Sequence, residues 1–213
     1  MSNGKSETAG LDFLDFIFTV AISVGLTPEV LQIQGVTGLL SEKWVQLGQW
    51  PSKDELFNLL VFFLGFLTLT LSWFGYHASI ISRPLKYNSG FGMVRFIMDV
   101  LLVIIYGIIL LHYKSFGAVL TLIIIIHFLF VIWDYLKIKE YKSEFQSKTG
   151  GKLKRYRREW VSLVCFILFF VLGVAFLNDL HRWLSLCLAI LITVFYRVNK
   201  IYPTWERAFG VNS

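Results

Sequence analysis

Apolar residues along this chain come in long unbroken blocks, with polar and charged residues gathered between them. Six blocks have the roughly 17 to 25 residues needed to cross the hydrocarbon of a bilayer: residues 13–31, 56–80, 93–111, 116–136, 160–177 and 183–198. None shows the two-residue alternation of a barrel strand, and backbone groups in hydrocarbon must be satisfied within the segment, so helices are predicted. The pattern predicts an all-α fold, a polytopic transmembrane helical bundle of about six spans forming one domain over residues 1–213. The first block carries Asp15, Gly25 and Pro28, and the sixth is short.

Charge placement orients the bundle. Lys5, then Arg83, Lys86 and Arg95, then nine basic residues between Lys137 and Arg158, then Arg197, Lys200 and Arg207 fall on one side of an alternating six-span path. Lys43, Lys53, Lys114 and Arg182 fall on the other. Cytoplasmic loops hold the Lys and Arg excess, so a multi-pass protein of the cell membrane with cytoplasmic N- and C-termini is expected. Of the 213 residues 56% are hydrophobic and 16% charged, which leaves no stretch for a separate soluble domain. Cys165 and Cys187 both lie in apolar blocks and read as small hydrophobes. The polar start MSNGKSETAG, with a single Lys, makes a poor signal-peptide n-region, so the first block is read as retained.

Two loops have character of their own. Residues 32–55 place Val36, Leu39, Leu40, Trp44, Val45 and Leu47 at near-helical spacing, with Trp50 beyond; an interfacial helix fits, and a re-entrant segment is the alternative. The basic cytoplasmic loop, residues 137–159, sets nine basic residues against Glu140, Glu144 and Glu159, with Gly150 and Gly151 as a break between two short helices. Lys152, Lys154, Arg155, Arg157 and Arg158 are its candidate contacts to anionic lipid headgroups or to a cytoplasmic protein partner. A nucleic-acid partner is the further alternative, with Tyr141, Phe145 and Tyr156 available for stacking. No repeat relates the two halves, which speaks against an inverted-repeat transporter.

Polar side chains inside spans are costly and are therefore functional candidates. Asp12, Asp15, Thr19 and Ser23 follow at steps of three and four, a polar stripe on one face of the first helix. It either lines a water-filled cation path or consists of headgroup-level acids followed by hydroxyls bonded to their own helix. In the second span Trp73 and His77 stand one turn apart. Arg95 and Asp99 in the third can form an ion pair within one helix, with Tyr106 on a nearby face. In the fourth, His127 and Asp134 share a face, and His127 is placed to pair with Asp99 or His77. These six residues (Trp73, His77, Arg95, Asp99, His127, Asp134) form the expected buried polar network. The four histidines do not fall at metal-ligand spacing, and phosphate-loop, zinc-helix, nucleophile-elbow and potassium-filter motifs are absent from the sequence, so neither cofactor, metal nor enzymatic activity is expected.

The stretch Phe13-Leu14-Asp15, followed by Phe16-Ile17-Phe18-Thr19-Val20-Ala21-Ile22-Ser23, resembles the Phe-Ser-Asp first helix of the bacterial and lysosomal leak potassium channels. Trp73 and His77 resemble that family's Trp shortly before His. The resemblance implies six-helix units assembled around a central pore, lined by the first helix and narrowed by apolar side chains. The sequence departs from the family at Ala9, where it has Arg, at Leu14, where it has Ser, and at His77, which stands without a second His. Potassium selectivity is therefore not implied. The expected function is a homo-oligomeric channel or pore for small cations, with Asp15, Thr19, Val20, Ile22 and Ser23 as pore or gate residues. One alternative is a membrane effector or accessory protein of a bacterial stress or antiviral defence system, signalled through the basic loop. The other is a membrane-embedded enzyme or transporter using the buried His and Asp residues.

Overall fold

A computed structural model describes Thr19 and residues 52–82, 90–140, 151–178 and 180–208. These residues contain five α-helices and no strand: α1 Lys53–Ser82, α2 Gly90–Leu111, α3 Phe116–Glu140, α4 Gly151–Leu177 and α5 Arg182–Ala208. Each holds a stretch long and apolar enough to cross a membrane: Lys53–Tyr76, Met93–Leu111, Phe116–Leu136, Trp160–Leu177 and Arg182–Lys200. They correspond to the second through sixth predicted spans. The first predicted span and the loop as far as Pro51 lie outside the described residues, except that Thr19 is helical and exposed.

Helix ends follow local chemistry. α1 opens on a capping box: the Ser52 hydroxyl accepts from the Glu55 backbone N–H (3.2 Å), and the Glu55 carboxylate accepts from the Ser52 N–H (2.9 Å). The helix thus starts before the apolar block does. Between α2 and α3 the chain reverses over His112–Ser115, where Ser115 caps α3 through the Ala118 N–H (3.4 Å). Burial in this turn raises the Tyr113 phenol above its usual range, so it stays neutral. Between α4 and α5 the Leu180 N–H returns to the Ala175 carbonyl (3.0 Å).

Two predicted boundaries are corrected. The residues after Gly150 do not form a short helix of their own: Gly151–Arg158 is the first part of α4 and runs straight into the span. The sixth predicted span, ending at 198, is part of a 27-residue helix that continues to Ala208. In both cases the edge of the apolar block marks where lipid would end. Backbone hydrogen bonding continues past it.

The helices close into a ring in the order α1, α2, α3, α4, α5 and back to α1. With five members the closing pair runs parallel, so α1 and α5 start at the same end, where the exposed Asp54 and Arg182 form an ion pair. That end is sealed by edge-to-face rings: Phe57 against Phe116 and Trp183 (5.6 and 5.2 Å), Phe116 against Phe176 (5.1 Å) and Phe62 against Tyr113 (5.8 Å). Below it the core is aliphatic, with Val61, Leu64, Ile109, Val119 and Ile123 buried. The outward faces are apolar too. Trp160, Val164, Ile167, Val171 and Val174 lie exposed on α4, and Ile97, Leu101, Ile104 and Ile108 on α2. Helices that are apolar on every side belong to a bundle solvated by lipid.

Candidate functional site

Charged and hydroxylic side chains concentrate at the end of the ring opposite the aromatic seal, in three clusters bridged by aromatic rings. The first joins α2 to α3. Arg95 and Asp99, one turn apart, are both buried; the Trp133 indole N–H donates to Asp99 Oδ1 (2.8 Å), and the Arg95 guanidinium lies 4.8 Å over the same ring. Trp133, on the neighbouring helix, thus stands against both Arg95 and Asp99.

The second cluster ties α3, α4 and α5 together. Lys200 forms an ion pair with Asp134, and the Ser162 hydroxyl donates to the same carboxylate (2.5 Å) while standing 3.5 Å from the Tyr196 hydroxyl. Asp134 is thus engaged by two helices at once.

The third cluster closes the ring between α5 and α1. Thr68 donates back to the Leu64 carbonyl (2.7 Å) and Ser72 back to that of Thr68 (2.6 Å). Both hydroxyl protons are thereby occupied within α1, and the Ser72 oxygen is left to accept from the Arg197 guanidinium, as it does. Arg197 is 6% exposed, and its guanidinium carbon sits 4.9 Å over Phe130 and 4.8 Å over Tyr196. Gly75 faces it; a Cβ at that position would stand 3.0 Å from Nη1. The Tyr106 hydroxyl of α2 faces Ser72 and Arg197.

His127 lies among the three. Its Nδ1 donates to the Ile123 carbonyl of its own helix (2.9 Å), and its ring packs on Phe169, Tyr196 and Phe130 at 4.4, 5.1 and 5.6 Å. No pairing of His127 with Asp99 is seen, and the side chain of the alternative partner, His77, lies outside the described residues; the His127 Nδ1 uses a carbonyl one turn back. Its shared face with Asp134 does hold, because Tyr196 touches His127 and, through Ser162, connects to Asp134.

Trp73 is half-buried with its ring 5.0 Å from Phe74. His77 is helical within α1, but its side chain lies outside the described residues, as do those of Lys152, Lys154, Arg155, Arg157 and Arg158. Asp15, Val20, Ile22 and Ser23 also lie outside them. Ser72, Trp133, Ser162, Tyr196, Arg197 and Lys200 complete the network without having been singled out as site residues. For Arg197 and Lys200 a signal is present in the sequence: Arg197 lies inside the sixth apolar block and Lys200 two residues beyond it. Among the described residues no three His, Cys, Asp or Glu side chains gather as a metal site. Compared with protein-family models, with curated proteins and with solved structures, the chain matches none.

Proposed function

We propose that the chain is a multi-pass protein of the cell membrane whose copies assemble into a channel or pore for small cations, lined by residues 13–31. The observation that carries this reading is that the five-helix ring is unsuited to conduct by itself. Interlocked rings fill one end and the buried Arg197 guanidinium occupies the other, where its fixed positive charge opposes a cation. A path then has to run between copies, where the first segment offers a polar stripe. Asp15 supplies negative charge at the mouth, Thr19 and Ser23 face the water, and Val20 or Ile22 narrows the passage; Thr19 is helical and exposed, as the reading requires. The Lys and Arg excess supports a cytoplasmic position for the charged end of the ring and for both termini.

Liposome flux tests it. Val20→Asn or Ile22→Asn, at whichever position is narrower, should raise cation leak about tenfold or more by wetting the constriction, since each 1.4 kcal/mol of barrier is about tenfold in rate. Asp15→Asn should reduce preference for cations over anions. Flux absent from all three variants and from the wild type, in folded oligomeric protein, rules the channel out.

Orientation is tested separately. Cysteines placed at Ser89, Lys148 and Ser213 should react with an impermeant thiol reagent only from the cytoplasmic side, and those at Ser52 and Asn178 only from outside. Outside labelling of Lys148→Cys contradicts the topology.

One observation favours the second reading, a membrane effector signalled from the cytoplasm. Because Gly151–Leu177 is a single helix, a partner or anionic lipid bound to the Lys152–Arg158 stretch would be connected to a span without a hinge. Flux that appears only when such a partner is added would favour it.

A further inference from the structure

We infer that the outer face shared by α3 and α4 at the charged end of the ring is a seat for one anionic phospholipid, with its phosphate at Lys139 and an acyl chain over Phe128, Phe166 and Phe170. The seat deepens the lipid part of the second reading above and rests on the cytoplasmic orientation of that end. Height along the bundle comes first. Phe116 meets Phe176 at one end and the Ser162 hydroxyl reaches Asp134 at the other, so α3 and α4 run antiparallel in fixed register. Lys139, five residues past Asp134, is therefore level with Arg157, five residues before Ser162, each about 7.5 Å along its axis toward the charged end. The apolar stretches stop just short of that height, at Leu136 on α3 and Trp160 on α4. Tyr135 and Trp160, 56% and 59% exposed, stand at this border, the headgroup level that such rings favour.

Charge and shape then select the occupant. Lys139 is exposed, its Nζ lies 5.3 Å over the Tyr135 ring, and among the described residues no carboxylate pairs with it. Residues 137–159 around it set nine basic residues against three acidic ones. At the opposite end of the ring Arg182 already has Asp54 as its counter-ion. Two turns below Tyr135, the exposed ring of Phe128 packs on Phe166 (5.6 Å), and Phe166 is followed by Phe170 one turn further along α4 (6.3 Å). The face thus offers cations above and apolar rings beneath, which matches a negative phosphate joined to an acyl chain. A soluble acidic segment would meet the cations and leave the rings uncovered. A phosphatidylcholine would bring a quaternary ammonium, whose favoured seat is an aromatic face, and at Tyr135 that face is taken by Lys139.

Native mass spectrometry of the full chain, purified in detergent and stripped of lipid, tests the seat by adding phosphatidylglycerol or phosphatidylcholine. One phosphatidylglycerol per chain should bind about tenfold or more tighter than phosphatidylcholine, as several basic residues at headgroup height require. Lys139→Gln should weaken it about fivefold, the share of one basic residue near an anionic surface. Lys114→Gln, which alters a similar exposed lysine over Tyr113 at the other end, should leave it unchanged. Both lysines are exposed, so neither replacement disturbs the core. Equal affinity for the two lipids overturns the seat, as does undiminished affinity in Lys139→Gln or an equal loss in Lys114→Gln. Glycerol phosphate, which lacks the chains, should not bind detectably; binding as tight as that of phosphatidylglycerol overturns the assignment to a lipid. Polyglutamate bound with the same dependence on Lys139, and no phosphatidylglycerol bound, gives the face to an acidic protein segment instead. Binding in detergent needs neither orientation nor conduction, so its failure is told apart from failure of the thiol labelling or of the flux.

Discussion

Asp99→Ala should leave little monodisperse protein in detergent, and the double replacement Arg95→Met/Asp99→Leu should restore a substantial fraction of it. In the native protein the Asp99 carboxylate accepts the Trp133 indole N–H, and Arg95, with none of its surface exposed, lies over the same ring. Removing the carboxylate alone leaves an indole donor without its acceptor and takes away a negative charge one helical turn from a buried guanidinium. Breaking a buried pair from one side costs about 3–5 kcal/mol, whereas replacing both partners by apolar groups of similar volume is often close to neutral. Against a total stability of roughly 5–15 kcal/mol, the single change removes much of what holds the bundle together. Trp133→Phe, which keeps a ring under Arg95 but loses the donor, should cost about 1.5–3 kcal/mol. The measurement is the size-exclusion fraction recovered after mild heating. If the single and double replacements lose the same amount, the two charges are not coupled.

How the fold was legible in the sequence follows from what the apolar blocks report. They mark where a segment can contact lipid, and five of the six predicted spans coincide with helices for that reason. They are silent on where a helix begins. α1 starts at Lys53 because Ser52 and Glu55 cap it, a Ser-x-x-Glu signal that was readable but lies outside the apolar run. α4 starts at Gly151 because nothing in Lys152–Arg158 interrupts backbone hydrogen bonding, whatever the charge of the side chains.

The candidate site was legible only in its charged members. Burial of Arg95, Asp99, His127 and Asp134 inside spans marks them as costly, and all four belong to the network. Their partners were not readable, because they are set by ring closure: Trp133 reaches Asp99 across 34 positions, Ser162 reaches Asp134 across 28, Lys200 reaches Asp134 across 66 and Arg197 reaches Ser72 across 125. A one-dimensional pattern gives the face of each helix and not its rotation against a neighbour. Histidine shows the limit most clearly. At His127 the sequence suggests a partner on another helix, yet a carbonyl one turn back satisfies Nδ1 and aromatic rings surround the rest.

The same closeness of helices predicts two glycine substitutions with opposite outcomes. A Cβ at Gly65 would lie 2.7 Å from Ile109 Cγ2 and 3.6 Å from Leu110 Cδ2, where α1 meets α2. Cγ2 is attached directly to the Cβ of a β-branched residue with one strongly preferred helical rotamer, and Ile109 is fully buried, so the methyl cannot turn aside. Gly65→Ala must push the two helices apart and should cost about 1–3 kcal/mol, the range for overpacking a close-packed core. Gly173 looks equally tight, with a Cβ 2.7 Å from Ile124 Cδ1 across α3 and α4. That methyl is the far end of a half-buried side chain and moves by a χ2 rotation. Gly173→Ala should therefore be nearly neutral. Unfolding temperatures in one detergent decide the contrast, and Ile109→Ala, which removes Cγ2, should recover part of the loss in Gly65→Ala although it is destabilising by itself. If Ile109→Ala adds its full cost on top of Gly65→Ala, the clash is not with Ile109, and the α1–α2 contact must be accommodating the new methyl elsewhere.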